Sequence, residues 1–222
     1  MLKRTVIITA GGIGKRLAND IPKQFLMLGD LPILAHSIKV FYEFDQTIQV
    51  IITLPKDWIT FWESKVKEIK FEVPHQTVAG GEERFHSIRN ALSYANGDQI
   101  AIHDGVRPFV SKETISRCFA GLTNFKAVIP VLSVKDSIRI VNDKESKASN
   151  RINFRIVHTP QCFHAEVLYL AYQQVYALNI TDDATLVEQV GESIHLVESN
   201  EENIKITTPS DLLFAQFMIN RL

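Results

Sequence analysis

Four short apolar runs rich in β-branched residues recur along the chain, with amphipathic segments between them. The runs are Thr5 to Thr9, Val50 to Leu54, Gln99 to His103 and Ala127 to Leu132. Continuous apolar runs of this length are typical of strands that are buried on both faces. The segment Ile33 to Phe44 instead spaces its apolar residues as one face of a helix does. This alternation predicts an α/β protein with a Rossmann-like, mostly parallel sheet sandwiched by helices.

The alternation changes between residues 134 and 157, where apolar and polar residues alternate singly on either side of a polar centre. This pattern predicts a projecting β-hairpin arm with two extended strands. An isolated hairpin is marginally stable in water, so the arm needs a surface on which to pack. A second copy of the chain is the natural candidate, and the arm is therefore predicted to make a homodimer.

Beyond the arm, the pattern predicts a helix over Ala165 to Val175, strands over Ser193 to Val197 and Asn203 to Ile206, and a closing helix after Pro209. No internal repeat, low-complexity tract or linker divides the 222 residues. We therefore expect a single domain over residues 1–222, with the arm at about 134–157.

The charge balance argues against a nucleic-acid or membrane partner. The formal net charge is -1, so any basic site must be local. The first apolar run is too short to span a membrane. Cys118 and Cys162 are far apart in sequence and match no metal-binding or redox motif, as expected of two reduced thiols. These features predict a cytoplasmic protein that binds neither nucleic acid nor membrane.

A glycine-rich loop and a group of basic residues follow the first predicted strand. They are Gly11, Gly12 and Gly14, followed by Lys15, Arg16 and Lys23. Glycines allow a tight turn that exposes several backbone N–H groups to an anion, and the loop beyond a strand's carboxyl end is the usual ligand site in such sheets. Several cations around such a turn favour a polyphosphate.

Neither familiar nucleotide motif fits this loop. A P-loop needs Ser or Thr after Gly14-Lys15, where the chain has Arg16, and the dinucleotide fingerprint needs a third glycine, where the chain has Leu17.

Two further segments place polar groups at predicted strand ends. "AGGEERFHS" (residues 79–87) is a second glycine turn, and "IHDGVRPF" (residues 102–109) carries Asp104 at the end of a buried strand. A carboxylate there, facing a phosphate loop, is the expected ligand of a divalent cation such as Mg²⁺. Lys205, within an apolar run, either extends from an edge strand or reaches into a site. His103 is interpreted as a hydrogen-bonded residue at a strand end.

Seven motifs in register resemble one family, the 2-C-methyl-D-erythritol 4-phosphate cytidylyltransferases of the non-mevalonate isoprenoid pathway. They are "AGGIGKR", "PKQF", "GGEERFHS", "HDGVRPF", "VKDSIRIV", an arginine eight residues before "TPQ", and "TDDA" with "ENIKITTP". The resemblance implies a nucleotidyltransferase fold and transfer of CMP from CTP to 2-C-methyl-D-erythritol 4-phosphate. It also implies a homodimer joined through the arm.

The resemblance also implies roles for individual residues. Arg16 and Lys23 would stabilise charge on the α-phosphate, while Arg151 and Lys205 would hold the acceptor phosphate. Arg151 would act in the site of the neighbouring subunit. The CTP-binding residues would be Ala10, Gly11, Gly12, Gly14, Lys15, Gly81, Glu82, Ser87, Asp104 and Gly105. The acceptor would also contact Arg107, Ser137, Thr159 and Thr181.

Two alternatives remain open from the sequence. A pentitol-phosphate enzyme, such as ribitol 5-phosphate cytidylyltransferase, shares "PKQF" and "NIKITTP", but Arg151 before Thr159 and the "ITDDA" segment favour methylerythritol phosphate. A non-catalytic nucleotide-binding protein on the same fold is the second, because a fold alone does not fix a function.

Overall fold

The computed structural model describes residues 2–12, 21–143 and 145–220. In this part of the chain, the strands are Arg4–Thr9 (β1), Met27–Leu28 (β2), Leu31–Pro32 (β3), Gln49–Leu54 (β4), Gln76–Ala79 (β5), Gln99–Asp104 (β6), Ala127–Ser133 (β7), Ile138–Val141 (β8), Ser146–Ser149 (β9), Arg155–Val157 (β10), Gln161–His164 (β11) and His195–Glu198 (β12).

The α-helices of the same ranges are Ile33–Phe44 (α1), Ile59–Glu68 (α2), Arg84–Leu92 (α3), Lys112–Gly121 (α4), Ala165–Ala171 (α5), Asp183–Gln189 (α6) and Pro209–Ile219 (α7). Short 3₁₀ helices lie at Lys23–Phe25, Lys56–Trp58 and Arg151–Asn153. No helix in the described ranges has the length and apolar character needed to cross a membrane.

The central sheet follows the order β10-β7-β11-β6-β1-β4-β5, with β12 paired to β7. The pairs β6–β1, β1–β4, β4–β5 and β7–β12 are parallel, whereas β10 and β11 are antiparallel to their neighbours. The four strands expected from the apolar runs are all present. The predicted α/β class with a mostly parallel sheet is thus confirmed.

Side chains of each central strand alternate between two hydrophobic cores. On β1, Val6 and Ile8 belong to one core, formed with α1, α2 and α4, while Ile7 faces the core formed with α3, α5 and α6. All three are fully buried. Both faces of β1 therefore need apolar residues, which explains why the run is continuous and not alternating.

The hairpin of the arm is shorter in the structure than the sequence pattern predicts. β8 and β9 form an antiparallel hairpin in which Ile138 pairs with Ser149. The strand expected to include residues 152–156 is interrupted, because the side chain of Asn150 accepts a hydrogen bond from the backbone N–H of Ile152 (3.1 Å) and caps a 3₁₀ helix. The chain then joins the central sheet as β10, beside β7.

Two further predictions about elements are corrected. Residues 203–206 do not form a strand, because their backbone groups bind loops and side chains: Asn203 O accepts from Arg107 Nη1 at 2.7 Å, and Ile206 N donates to Val106 O at 2.9 Å. The helix predicted over residues 165–175 ends at Ala171.

Cys118 and Cys162 are buried free thiols, which agrees with the reduced state expected from the sequence.

Candidate active site

A cavity of about 740 Å³ opens at the carboxyl ends of β1, β5 and β6. Parallel strands bring their following loops to the same edge of a sheet, so segments distant in sequence meet there. Among the described residues, the cavity is lined by Thr9, Ala10, Gly11, Gly12, Lys23, Gln24, Gly81, Glu82, Glu83, Arg84, Ser87, Asp104, Val106, Lys205 and Thr207.

The first wall joins the glycine loop to the 3₁₀ helix that carries Lys23. Gln24, which is buried, donates from Nε2 to Ala10 O at 2.6 Å. Phe25 is buried as well, with its ring centroid 5.6 Å from that of Trp58 and 5.9 Å from that of Trp62. Lys23 directly precedes these two fixed residues and lines the same cavity as the loop that starts at Ala10.

The second wall is the glycine turn after β5. Gly81 N donates to Ser87 Oγ at 3.0 Å, and Ser87 Oγ donates to Glu83 O at 3.1 Å. A Cβ at Gly81 would lie 2.4 Å from the Cβ of His86, far inside van der Waals contact. Glycine is therefore needed where this turn approaches α3. The wall is held by hydrogen bonds within its own segment.

Asp104, at the end of β6, is the buried centre of a group of cations. Its Oδ2 lies 3.1 Å from Lys205 Nζ and 3.2 Å from Arg107 Nε, and its Oδ1 lies 3.8 Å from Arg84 Nε. Burial favours the neutral acid, but Arg84, Lys205 and Arg107 outweigh it and hold the pKa of Asp104 well below its usual range. The carboxylate is therefore ionised in the pH range of the cell.

The contacts of Asp104 do not fit the predicted metal ligand. A divalent cation bound to this carboxylate would have to compete with three positive side chains for its two oxygens. The described residues also contain no group of three or more His, Cys, Asp or Glu side chains arranged to hold a metal ion. Asp104 therefore serves as the counter-charge of these three cations.

Arg84 was missed by sequence analysis, although it lies in the quoted "GGEERFHS" motif. It is the first residue of α3 and forms a forked pair with Asp183, Nη1 to Oδ1 at 2.9 Å and Nη2 to Oδ2 at 2.7 Å. Other lining residues that the sequence did not single out are Thr9, Gln24, Glu83, Val106 and Thr207. The one available signal for Arg84 was a cation directly after a glycine turn at the start of a helix.

Several predicted residues lie behind the cavity wall. Gly105, Arg107 and Thr159 are buried and do not line it. Thr159 Oγ1 accepts from the backbone N–H of Asp104 at 3.1 Å and so supports the end of β6. Arg107 does not line the cavity itself but forms an ion pair with Asp104, which does. Their predicted contacts with CTP or acceptor stay predictions.

Other predicted residues lie apart from the cavity. Ser137 and Arg151 are exposed, and Arg151 Nη1 donates to the backbone oxygen of Lys135. Thr181 lines a smaller cavity of about 100 Å³ beside the first one. Gly14, Lys15 and Arg16 lie outside the described residues, so their roles rest on the resemblance.

His103 is a buried, hydrogen-bonded residue, as its sequence position indicated. Its Nε2 lies 3.1 Å from Arg107 O, and its Nδ1 lies 3.0 Å from Thr159 Oγ1. A carbonyl oxygen can only accept, so Nε2 carries the proton, and Nδ1 accepts from the Thr159 hydroxyl. Burial lowers the pKa of His103 to about 4, and the ring is neutral at pH 7.

Comparison with known proteins places these features in one family. The family model described as "IspD: 2-C-methyl-D-erythritol 4-phosphate cytidylyltransferase" matches residues 4–221. A protein of that name from Bacteroides fragilis is 44% identical over 217 residues, which cover 97% of this chain and 99% of the relative.

Solved structures agree in fold. The 4-diphosphocytidyl-2C-methyl-D-erythritol synthase of Anaerococcus prevotii superposes with a TM-score of 0.85 at 26% identity, covering 99% of this chain and 97% of that one. The 2-C-methyl-D-erythritol 4-phosphate cytidylyltransferase of Thermus thermophilus superposes with a TM-score of 0.78 at 28% identity, covering 99% and 100%.

The lowered pKa of His103 predicts that stability falls in mild acid. The unfolded chain takes up the proton near pH 6.5 and the folded protein near pH 4, so the unfolded state binds more protons between these values. The free energy of unfolding should drop by roughly 2 kcal/mol from this group between pH 7 and pH 4.5. Urea unfolding at both pH values measures it. His103→Gln should be less stable at pH 7 but lose less on acidification, and an equal loss in both proteins would contradict the assignment.

Proposed function

The chain belongs to the 2-C-methyl-D-erythritol 4-phosphate cytidylyltransferase family, and we propose that it transfers CMP from CTP to 2-C-methyl-D-erythritol 4-phosphate. The products are 4-diphosphocytidyl-2-C-methyl-D-erythritol, an isoprenoid precursor, and pyrophosphate. One observation carries the proposal: a single cavity brings a glycine-rich backbone together with Lys23, Arg84 and Lys205.

The reaction joins two anions and needs charge stabilisation more than proton transfer. An oxygen of the acceptor phosphate attacks the α-phosphorus of CTP, the new P–O bond forms, and the bond to the β-phosphate breaks to release pyrophosphate. The attacking oxygen is already anionic at neutral pH, so no general base is required. Catalysis then consists of aligning the two phosphates and stabilising the charge that develops between them.

The two lysines stand on different walls of the cavity and suit different phosphates. Lys23 lies next to the glycine loop and would stabilise the α-phosphate, together with Arg16, whose role rests on the resemblance. Lys205 lies beside Asp104 and would bind the acceptor phosphate. The backbone between Ala10 and Gly12 and the turn at Gly81 would hold the cytidine part of CTP.

A divalent cation is proposed to enter as part of the substrate. Mg²⁺ binds polyphosphates with few protein ligands and keeps several of its waters, so Mg·CTP needs no carboxylate cage. The ion would neutralise negative charge on the triphosphate. A metal ion that enters with CTP does not need Asp104 as a ligand, so Asp104 can stay paired with its three cations.

We further propose a homodimer built through the arm. Apolar side chains on and beside the hairpin are exposed to solvent: Ile140, Val141, Ile152, Phe154, Ile156 and Val157. Clustered exposed apolar residues of this kind mark an interaction surface. Arg151 lies on the same segment, so an arm that packs on a second subunit would bring this cation toward the other site.

Acceptor choice is tested by pyrophosphate release from Mg·CTP, with methylerythritol 4-phosphate and ribitol 5-phosphate assayed side by side. We expect release with the first acceptor alone. Release with ribitol 5-phosphate alone would move the enzyme to another pathway, and tight CTP binding without release would support the non-catalytic alternative.

Replacement of Lys23 by alanine should lower kcat by about 10²–10³-fold, because it removes a cation from the developing charge on the α-phosphate. Lys56→Ala is the matched control, since Lys56 likewise follows a proline and opens a 3₁₀ helix but does not line the cavity. Circular dichroism should show both variants folded. A folded Lys23→Ala protein with parental kcat would remove Lys23 from the mechanism.

Action of Arg151 across the dimer predicts complementation between two inactive variants. Arg151→Ala and Lys23→Ala should each be nearly inactive, whereas a refolded equimolar mixture should recover about a quarter of the parental activity, since half of the dimers are mixed and each of these has one intact site. Light scattering should give twice the mass of one chain. If Arg151 served its own subunit, the mixture would stay inactive.

A further inference from the structure

Arg84 occupies the wall between two cavities. Together with Glu83, it lines both the large cavity and the smaller cavity that contains Thr181. Its own segment, the turn at Gly81, belongs to the proposed CTP side. Its side chain contacts Asp183, two positions after Thr181, and Asp104, which pairs with Lys205; Thr181 and Lys205 are the residues assigned to the acceptor.

The first of these contacts is the forked pair with Asp183, whose side chain is fully buried. The hydroxyl of Tyr172 donates to the same carboxylate, at 2.5 Å from Oδ1. Asp183 is the first residue of α6, two positions after Thr181. A planar guanidinium that bonds both carboxylate oxygens fixes the direction of the pair as well as its distance. The pair therefore locates the start of α6 relative to α3.

The second contact leads to Lys205. Arg84 Nε lies 3.8 Å from Oδ1 of Asp104, whose Oδ2 is paired with Lys205 Nζ at 3.1 Å. One guanidinium thus lies between the carboxylates of Asp183 and Asp104. An ammonium group in its place is a single point charge and cannot fork onto one carboxylate while it faces the other.

We propose that Arg84 is a positioning residue for the acceptor phosphate. By contacting Asp183 and Asp104 at once, it sets the distance between the Thr181 segment and the Asp104–Lys205 pair, the two sides between which that phosphate would bind. The inference rests on the proposed function. It assigns Arg84 no direct contact with the reacting atoms.

The glycine turn that is proposed to hold the cytidine part of CTP is fixed without the Arg84–Asp183 pair. Gly81, Ser87 and Glu83 are joined by hydrogen bonds within their own segment. Loss of the fork should therefore change the kinetics of the acceptor and leave CTP binding nearly unaltered. If Arg84 contributed to stability alone, a folded variant would show unchanged kinetics for the acceptor.

Removal of Arg84 alone would leave Asp183 buried without its cation, and such a variant could fail to fold. Two variants avoid this outcome. Arg84→Lys retains the positive charge without the fork, and the double variant Arg84→Gln with Asp183→Asn removes both charges. Arg4→Lys is the matched control, because Arg4 also pairs with an aspartate, Asp45 at 3.1 Å, but at the amino end of β1, opposite the cavity.

The experiment measures kcat and KM for methylerythritol 4-phosphate, the Kd of CTP by calorimetry, and unfolding in urea. In both Arg84 variants, we expect kcat/KM for the acceptor to fall by about 10²-fold, the loss typical of a misplaced reacting group. The Kd of CTP should stay within about threefold, well below the tenfold change that one lost strong contact produces. Arg4→Lys should change neither quantity.

The outcomes separate this inference from the proposed function. Absence of turnover by the parent protein would overturn the proposed function and this inference with it. If the parent protein turns over and both folded variants, Arg84→Lys and the double variant, reach the same kcat/KM for the acceptor, this inference alone would be overturned. An equal loss of CTP binding and acceptor kinetics would also overturn it, because Arg84 would then act on the nucleotide.

Discussion

The buried carboxylate of Asp104 makes the rest of the site electrostatically possible. Arg84, Arg107 and Lys205 converge within 4 Å of its two oxygens, and three cations this close would repel one another without a shared counter-charge. Because these cations keep Asp104 ionised, the arrangement does not change with pH in the neutral range. The cations are thus held at one edge of the sheet before any phosphate arrives.

The fold explains why this carboxylate can be held so firmly. β6 lies between β1 and β11 in the sheet, and its last residue receives support from its neighbours. The backbone N–H of Asp104 donates to Thr159, and the same hydroxyl satisfies the neutral ring of His103. A charged group on a loop would move with the loop, whereas Asp104 moves with the core.

Sequence patterns predicted those features that depend on neighbours along the chain. Gly11 lines the cavity, as expected for a loop that follows the carboxyl end of a strand, and Lys23 lies there too, whereas for Lys205 the sequence pattern left open whether it reaches a site. Arg84 was not predicted, because its role depends on Asp183, which lies 99 residues further on and has no local pattern that announces the pairing. The strand predicted over residues 203–206 was wrong for the same reason. Their apolar character indicated a strand, but hydrogen bonds to the distant residues Arg107 and Val106 fix their backbone in another conformation. The position of the hairpin agrees with the prediction, but its length does not, because Asn150 caps a 3₁₀ helix and β9 ends at Ser149.

The charge of the acceptor gives the proposed dimer a part in turnover. A phosphate monoester carries close to two negative charges at neutral pH. Lys205, the lining cation proposed to receive it, already shares its charge with Asp104, and Arg84 is committed to Asp183. Among the described residues, these two cations of the acceptor side are thus already paired, and negative charge brought into a partly dry cleft is costly unless it is neutralised. Arg151 is exposed and does not line the cavity of its own chain, but the proposed arm of a second subunit would bring this further cation to the acceptor. Assembly of the proposed dimer would then affect binding of the acceptor phosphate, whereas CTP would bind to residues of a single chain.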